Sequence, residues 1–512
     1  MNFFKSFALL GLLAMVAVSC TQLEEELRQD LDGETAQEFL RDNTDVSSLI
    51  QSVYDNFQLP FQDQSRFWAM QEHTSDEVMG PTRGPDWDDN GIWRVLHDHT
   101  WDADHLFIRN TFDELLRAVF NATNVLSFDP TPEEAAEARF LRAFVMASVL
   151  DAWGQVPFRE AGESLLDPPT VLSGPEAADF IISEVDAIVG DLPVGDATRA
   201  NQDAAQALKA KVLLNRGTYS DRANPSFPDQ DMQGVIDACD AIINSGRYAL
   251  ADDYFDNFSP LNTQNSPEII FVNKNDPSTQ RDGNNVRSRW FCTLHYNQDP
   301  SGWNGFCTIA DFYDTFDQND PRIGGPASAR PETDGRTGVG HGFLIGQQTD
   351  VNGDPIEDRK GNPLSYTKEV ALTEAGDNLE ITGVRVVKYI PDLDNGELVE
   401  NDYVFYRYAD ILLMKAEALL RQGQNGPALD IVNQIRQKRG VADLGNINAD
   451  VLLDERGYEL YWEGHRRQDL IRFGKFLGSW NEKPASGQER LLFPIPNTAL
   501  AVNPNLTQNP GY

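Results

Sequence analysis

After residue 19, no stretch of this 512-residue chain approaches the run of about 18 apolar residues that a membrane-crossing helix needs. Cysteine is scarce. There are four, and one of them, Cys20, stands at the end of an apolar leader, leaving Cys239, Cys292 and Cys307 for the body of the protein. Positive charge is short as well: 42 Lys and Arg face 80 Asp and Glu, a net charge of -38. Such a chain is a poor ligand for nucleic acid or an anionic lipid surface. The signatures of common catalytic sites are also missing. The sequence holds no phosphate-binding glycine loop, no His-Glu-x-x-His and no Gly-x-Ser-x-Gly. His97 and His99 flank Asp98 without the further ligands a transition metal requires. Asp350, Asn352 and Asp354 begin with the spacing of a calcium loop, but Pro355 stands where such a loop needs glycine. That stretch reads as a hairpin turn, and a weakly held calcium is the only ion it would accept. No cofactor is expected. Acidity of this degree can signal disorder, but 40% hydrophobic and 10% aromatic residues argue for a packed core.

The leader itself is informative. Lys5 is its one charge, Phe7 to Val18 is a short apolar run, and Ala17, Val18 and Ser19 place small residues just before Cys20. This is the pattern of a lipoprotein signal peptide over 1–19, cleaved so that Cys20 becomes the lipid-bearing first residue. One acyl chain anchors only marginally, at about 0.8 kcal/mol per buried methylene, so stable tethering takes two or more. Residues 20–33, with Glu24, Glu25 and Glu26, read as an acidic tether. An exported chain can form disulfides, and Cys292 and Cys307 are close enough in sequence to close a short loop, so they are expected to pair. Cys239, on an amphipathic segment, is expected as a buried free thiol.

The remainder, 34–512, divides by composition into a helical part (34–254), a loop-rich excursion (255–400) and a second helical part with a closing loop (401–512). Thr131, Pro132 and Glu134 form a capping box that opens a helix apolar on nearly every side, which neighbours must bury on both flanks. Ser173, Pro175 and Glu176 suggest a second box. Further helices fit 34–56, 104–127, 203–216, 231–245, 403–422, 426–439 and 449–472, joined by connections short enough for antiparallel pairs. The excursion is rich in Gly, Pro, Asn and Asp and carries strand-like pieces at 268–272 and 383–389. It is too long to be a structureless loop. The whole is expected to be one mostly α domain.

Several segments together are characteristic. They are Arg407 to Ala418, Glu455 to Gly474, Phe493 to Pro496 and Asn503 to Tyr512, preceded by Thr74 to Glu77, Arg139 to Ala143, Trp153 to Pro157, Ala207 to Lys211 and Phe316 to Arg322. In this order they resemble the SusD/RagB family of nutrient-uptake outer-membrane lipoproteins over essentially the whole chain after the leader. Trp462 departs from the pattern, which has a smaller residue there. The resemblance implies a right-handed α-α superhelix of helix pairs like tetratricopeptide repeats, with a loop-rich excursion containing short β hairpins. It also implies a non-enzymatic protein on the outer face of the outer membrane that captures oligosaccharides for a TonB-dependent SusC-like transporter. Some members capture peptides, and that is the alternative here; a surface glycoside hydrolase is a more distant one.

The hydrolase reading would draw on paired acids. Glu459, Glu463, Arg466 and Arg467 share one helical face if 449–472 is a single helix, as do Asp410 and Glu417. A salt-bridge network locking the last helices together is the simpler account. Tryptophan placement points to a binding site. Four of nine tryptophans, Trp68, Trp87, Trp93 and Trp101, fall in one segment, and Trp87 sits among Arg83, Asp86, Asp88 and Asn90 in a turn-rich stretch. Sugars present apolar C–H faces that stack on flat rings and hydroxyls that need partners. The candidate ligand-binding residues are therefore Trp87, Arg83, Asn90 and Trp93; the resemblance, which implies ligand residues partly from the excursion, adds Trp290 and Tyr296. Trp303, between glycines, reads as structural, and Trp68 and Trp101 as core.

Overall fold

A computed structural model describes residues 44–280 and 284–512. Cys20, the leader and the acidic tether lie outside the described residues. The first helix, α1, is Val46–Gln62, so its described start falls later, and its end further on, than the 34–56 pattern suggested. Then follow α2 (Phe67–Glu72), α3 (Leu106–Val125) and α4 (Pro132–Trp153). The capping box forms at the head of α4: Thr131 accepts from the Glu134 amide, and Glu134 returns a bond to the Thr131 amide at 2.9 Å. Pro132 occupies the first turn, where its missing N–H costs nothing. Helix α4 is clasped by α3 and by α5 (Gly174–Ile188), which answers its all-round apolarity. The box expected at α5 does not form. Ser173 instead belongs to strand Thr170–Ser173, paired with Gln155–Phe158, and its side chain caps nothing.

Helices α6 (Gln202–Ser220) and α7 (Asp229–Ile243) continue the stack, each packed on its neighbour. The chain then enters the excursion. Strand Ile269–Asn273 pairs antiparallel with Tyr403–Arg407, tying the start of the excursion to its end. The latter pairing corrects the expected 403–422 helix. Tyr403, Val404, Phe405 and Tyr406 are β-branched or aromatic and fill a pleated surface, so the helix α8 begins only at Tyr408 and runs to Arg421. A three-stranded sheet, with His341–Leu344 between Arg385–Val387 and Gly324–Gly325, orders the middle of the excursion. Asp350 accepts the amides of Asn352 and Asp354, and Thr349 bridges to Pro355, so this stretch is the turn its sequence suggested.

Helix α9 is Asn425–Lys438. The span expected as one helix, 449–472, is two: α10 (Ala449–Leu460) and α11 (Arg466–Arg472). Between them Trp462 and Gly464 adopt positive φ of 61° and 83°, which ends one helix and redirects the next. This break is fastened by distant parts of the chain. The Trp462 amide donates to Glu77 at 2.8 Å, its carbonyl accepts the Trp68 indole N–H at 3.1 Å, and the Gly464 amide donates to Glu72.

The split also redistributes the motif charges. Arg466 leaves the expected shared face and grips Asp76 through two bonds, and Arg467 reaches Asp151. Glu459 and Glu463 stay together around Arg407, which donates to both at 2.7–2.8 Å while Lys388 also binds Glu463. Arg439 and Arg322 complete the shell of Glu459. Asp410 pairs with Arg456, and Glu417 with Arg472. The paired acids are thus buried and each is paired with at least one cation, which is structural use.

The expected disulfide is absent. Cys239, Cys292 and Cys307 are all free and buried. The backbones of the two candidates do approach, since the amides of Gly305 and Phe306 donate to the Cys292 carbonyl. The Cys307 side chain, however, turns toward Met79 and Gly383, where a methyl group would overlap its Sγ. Burial pushes both thiols up from their ordinary range, so neither presents a thiolate.

Candidate functional site

The tryptophan-rich segment and the excursion meet at an open cleft of about 400 Å³. One wall comes from the turn that carries Trp87. Trp87 itself has φ 60°, and Asp89 and Asn90 follow with 40° and 57°. A bulky residue in the left-handed region persists only where its surroundings hold it. Here the indole N–H of Trp87 donates to the Trp303 carbonyl at 2.7 Å, and its ring lies against Gly305. A methyl group at Gly305 would fall 2.2 Å from that ring, so glycine is needed for the approach.

The opposite wall is the excursion. Trp303 is 45% exposed and stands 6.2 Å from Trp87 between ring centres, tilted by 58°. Phe291 supports it from below at 4.7 Å. Tyr296 is half-buried and also lines the cleft. Its hydroxyl donates to Asp86 at 3.1 Å, and the Arg359 guanidinium lies over its ring at 4.0 Å. Arg359 donates in turn to Asp86 at 2.8 Å and to Glu380, which also accepts from His295 Nε2 at 2.8 Å, the Asn297 amide donating to Nδ1. Burial and the adjacent Asp86 push the Tyr296 hydroxyl up to about 12, so it stays a donor at any physiological pH. The cleft therefore offers two accessible indoles and a phenol, rimmed by the carboxylates of Asp86 and Asp89 and the amide of Gln64.

The structure separates the other candidates from this cleft. Arg83 is 2% exposed and spends its guanidinium on the carbonyls of Gly305, Leu379 and Thr382 and on the Thr382 hydroxyl. It braces the excursion beneath the site rather than facing a ligand. Trp290 is 3% exposed and packs on Phe291. Trp93 is buried, stacked among Trp87, Phe107 and Phe306, with an edge at the cleft and its N–H on Asp89. Asn90 is exposed but lies on the far side of its turn, in a neighbouring groove. His97 and His99 are buried and bound to carbonyls of Asn481 and Thr74. Among the described residues, no cluster of three His, Cys, Asp or Glu is arranged to hold a metal, and no helix is long and apolar enough to cross a membrane.

Comparison with known proteins identifies this arrangement. A model of the SusD family matches residues 267–489. The starch-binding protein SusD of Bacteroides thetaiotaomicron is 26% identical over 422 residues, covering 75% of this chain and 73% of its own. A SusD-like protein of Formosa agariphila is 24% identical across the full length of both. By these matches the chain resembles the SusD family. Solved structures agree in fold. A SusD superfamily protein from Parabacteroides distasonis superposes with a TM-score of 0.71 at 20% identity, over 91% of this chain and 98% of that one. Surface glycan-binding protein A of B. thetaiotaomicron, solved in complex with laminarihexaose, does so with 0.67 at 18% identity, over 91% and 98%. The mostly helical body with small sheets is the fold of SusD-family structures.

The sequence singled out Trp87 and Tyr296, which the structure brings to one cleft, but gave Trp303, on the same cleft, a structural role. The signal was present: a tryptophan between Gly302 and Gly305, beside a cluster of rings, in a segment too polar to bury it. Arg359 and Asp86 were missed because their meeting joins positions 273 residues apart, which no local pattern reveals.

Proposed function

We propose that the protein is a cell-surface glycan-capture lipoprotein that passes oligosaccharides to a TonB-dependent SusC-like transporter. The observation that carries this reading is the half-exposed Trp303 ring standing beside Trp87 and Tyr296 in an open cleft. A soluble protein gains nothing by exposing a large ring in a cleft unless something covers it. A pyranose does so: its C–H face stacks on the indole, and its hydroxyls find Asp86, Asp89 and Gln64 at the rim. Arg359, the cation at the rim, is already engaged by Asp86 and Glu380, so a neutral sugar suits the site better than an acidic one. The relatives named for binding starch and laminarin support the same class of ligand. Binding without turnover fits the way the motif acids are consumed by arginines.

The lipid on Cys20 and the acidic tether after it would keep the body beside its transporter at the outer face of the outer membrane. There, high local concentration makes modest affinity sufficient. A soluble form beginning after Cys20, titrated calorimetrically against neutral oligosaccharides, should bind at least one glucan series and release no products. Binding only to peptides would replace this reading with peptide capture. In cells, Cys20→Ala should release the protein from the membrane fraction, and continued anchoring would sink the lipoprotein assignment.

A further inference from the structure

The cleft of Trp87 and Trp303 has a neighbour. The turn from Asp88 to Gly91 forms one of its rims, and the other side of that turn walls a second groove of about 620 Å³. Asp89 lines both. The floor of the second groove is apolar, with Ile92, Val95 and Leu106 beside the buried rings of Trp101 and Phe107, and its rim carries Asn90, Thr100 and Asp104. Leu106 is 42% exposed at the first position of α3, where a polar residue would serve the helix equally well. The ridge between the two grooves is built from consecutive left-handed residues, Asp89, Asn90 and Gly91, at φ 40°, 57° and 80°. It is pinned by the Trp93 indole N–H, which donates to Asp89 Oδ2 at 2.9 Å, and by the Ile92 amide on the Asp89 carbonyl. A strained turn held this firmly fixes its path and leaves the exposed Asn90 side chain on the rim of the second groove.

We infer that the two grooves form one path, so that the ligand is a chain long enough to cross the Asp89–Asn90 ridge. This rests on the glycan reading above. In this arrangement the first sugar units sit on the rings of Trp87, Tyr296 and Trp303. The Asn90 amide meets hydroxyls at the crossing, and later units lie on the apolar floor beside Leu106. The second groove has no exposed flat ring, so it holds little by itself and adds affinity only to a chain already seated on the first. The protein thereby selects polymer fragments over mono- and disaccharides.

The test is a length series of β-1,3- and α-1,4-linked glucans, from disaccharide to octasaccharide, titrated against the soluble protein. Affinity should climb by roughly ten-fold from the shortest binding member to the longest, equivalent to about one further good contact. Thr100→Arg places a long side chain in the second groove without touching the ring cleft, and should abolish the climb while leaving short-chain affinity within about two-fold. Asn90→Gly keeps the left-handed backbone and removes only the amide, and should lower the affinity of long chains alone. Thermal melts of both variants establish that they are folded. Equal length profiles for wild type and Thr100→Arg would overturn the continuous path while the ring cleft stands. Absence of binding at every length would overturn the ring cleft and, with it, this extension.

Discussion

Trp87 donates its indole N–H to the backbone carbonyl of Trp303 at 2.7 Å, so a ring from the first helical part is fastened to the loop that presents the most exposed ring of the excursion. The two tryptophans are consequently not equivalent. Trp303 offers surface. Trp87 offers surface and also holds the cleft together.

This asymmetry sets the first prediction. Trp303→Ala should weaken glycan binding by roughly ten-fold, the value of a stacking contact of about 1 kcal/mol or slightly more, with an unchanged melting temperature. Trp87→Ala should lower both binding and melting temperature, because it removes the packing on Gly305 as well. Unchanged affinity for Trp303→Ala would remove that ring from the site.

Tyr296→Phe should separate polar from stacking contributions. The ring and its contact with Arg359 remain, and only the hydroxyl that donates to Asp86 is lost. A net hydrogen bond is worth about 1 kcal/mol, so affinity should fall several-fold at most. A loss as large as that of Trp303→Ala would mean that the hydroxyl, not the ring, meets the ligand.

The buried charges make a stability prediction. Arg407→Met should destabilise the fold by about 3–5 kcal/mol, since it removes the cation that Glu459 and Glu463 share and leaves Glu463 only Lys388 in the interior. Denaturant midpoints would measure it. A change below about 1 kcal/mol would show that neighbouring cations compensate for the loss.

Glu72 and Glu77 give a pH dependence of defined sign. Burial raises Glu72 to about 7, and burial together with Glu72 holds Glu77 well above its ordinary range. A raised carboxyl pKa contributes stability that is complete below the unfolded value of about 4.3 and is lost as pH rises through the folded value. Melting temperature should therefore decline as pH rises from about 4.3 through about 7, the folded value of Glu72, and Glu72→Gln should flatten that slope. Asp469 acts in the opposite sense: despite burial, Arg456 and Arg472 hold it below its ordinary range, so its contribution is lost only in acid. A melting temperature that rises from neutral to alkaline pH would contradict the assignment to the glutamate pair.

The cysteines offer a direct chemical check. A soluble form lacking Cys20 should show three free thiols by reagent titration after denaturation, almost none while folded, and no change in melting temperature with reductant. A protected pair after denaturation would restore the disulfide between Cys292 and Cys307.

Much of the helical architecture was legible because each long helix carries its own period and caps, as Thr131 and Glu134 show for α4. The motif order gave the resemblance to the SusD family, which the matches to SusD-like relatives share. Legibility failed where geometry depends on remote partners. The α10–α11 break needs Glu72, Glu77 and Trp68 to bind residues from the other end of the chain, and the local pattern at 449–472 offers two glycines, of which Gly457 stays helical and Gly464 marks the break. The strand at Tyr403 was hidden in an apolar run that also suits a helix, and only its pairing with Ile269–Asn273 decides between them. In the site, ring-bearing positions were visible as composition. Which rings face outward was only hinted at, by the glycines and polar residues beside Trp303, and Trp290 is buried by what the excursion lays over it.

The break at Trp462 also orders events in time. Its three fastenings join residues near 70 to residues near 460, up to 394 positions apart. A chain synthesised from its N-terminus must therefore carry Trp68, Glu72 and Glu77 without their partners until nine-tenths of it exists. Its early helices can stack meanwhile, but two carboxyls destined for the interior remain hydrated and the centre remains open. Closure is a late, cooperative step, slow in the manner of all folds dominated by distant contacts. Nascent or truncated chains that stop short of residue 462 would expose this unfinished centre to chaperones and proteases.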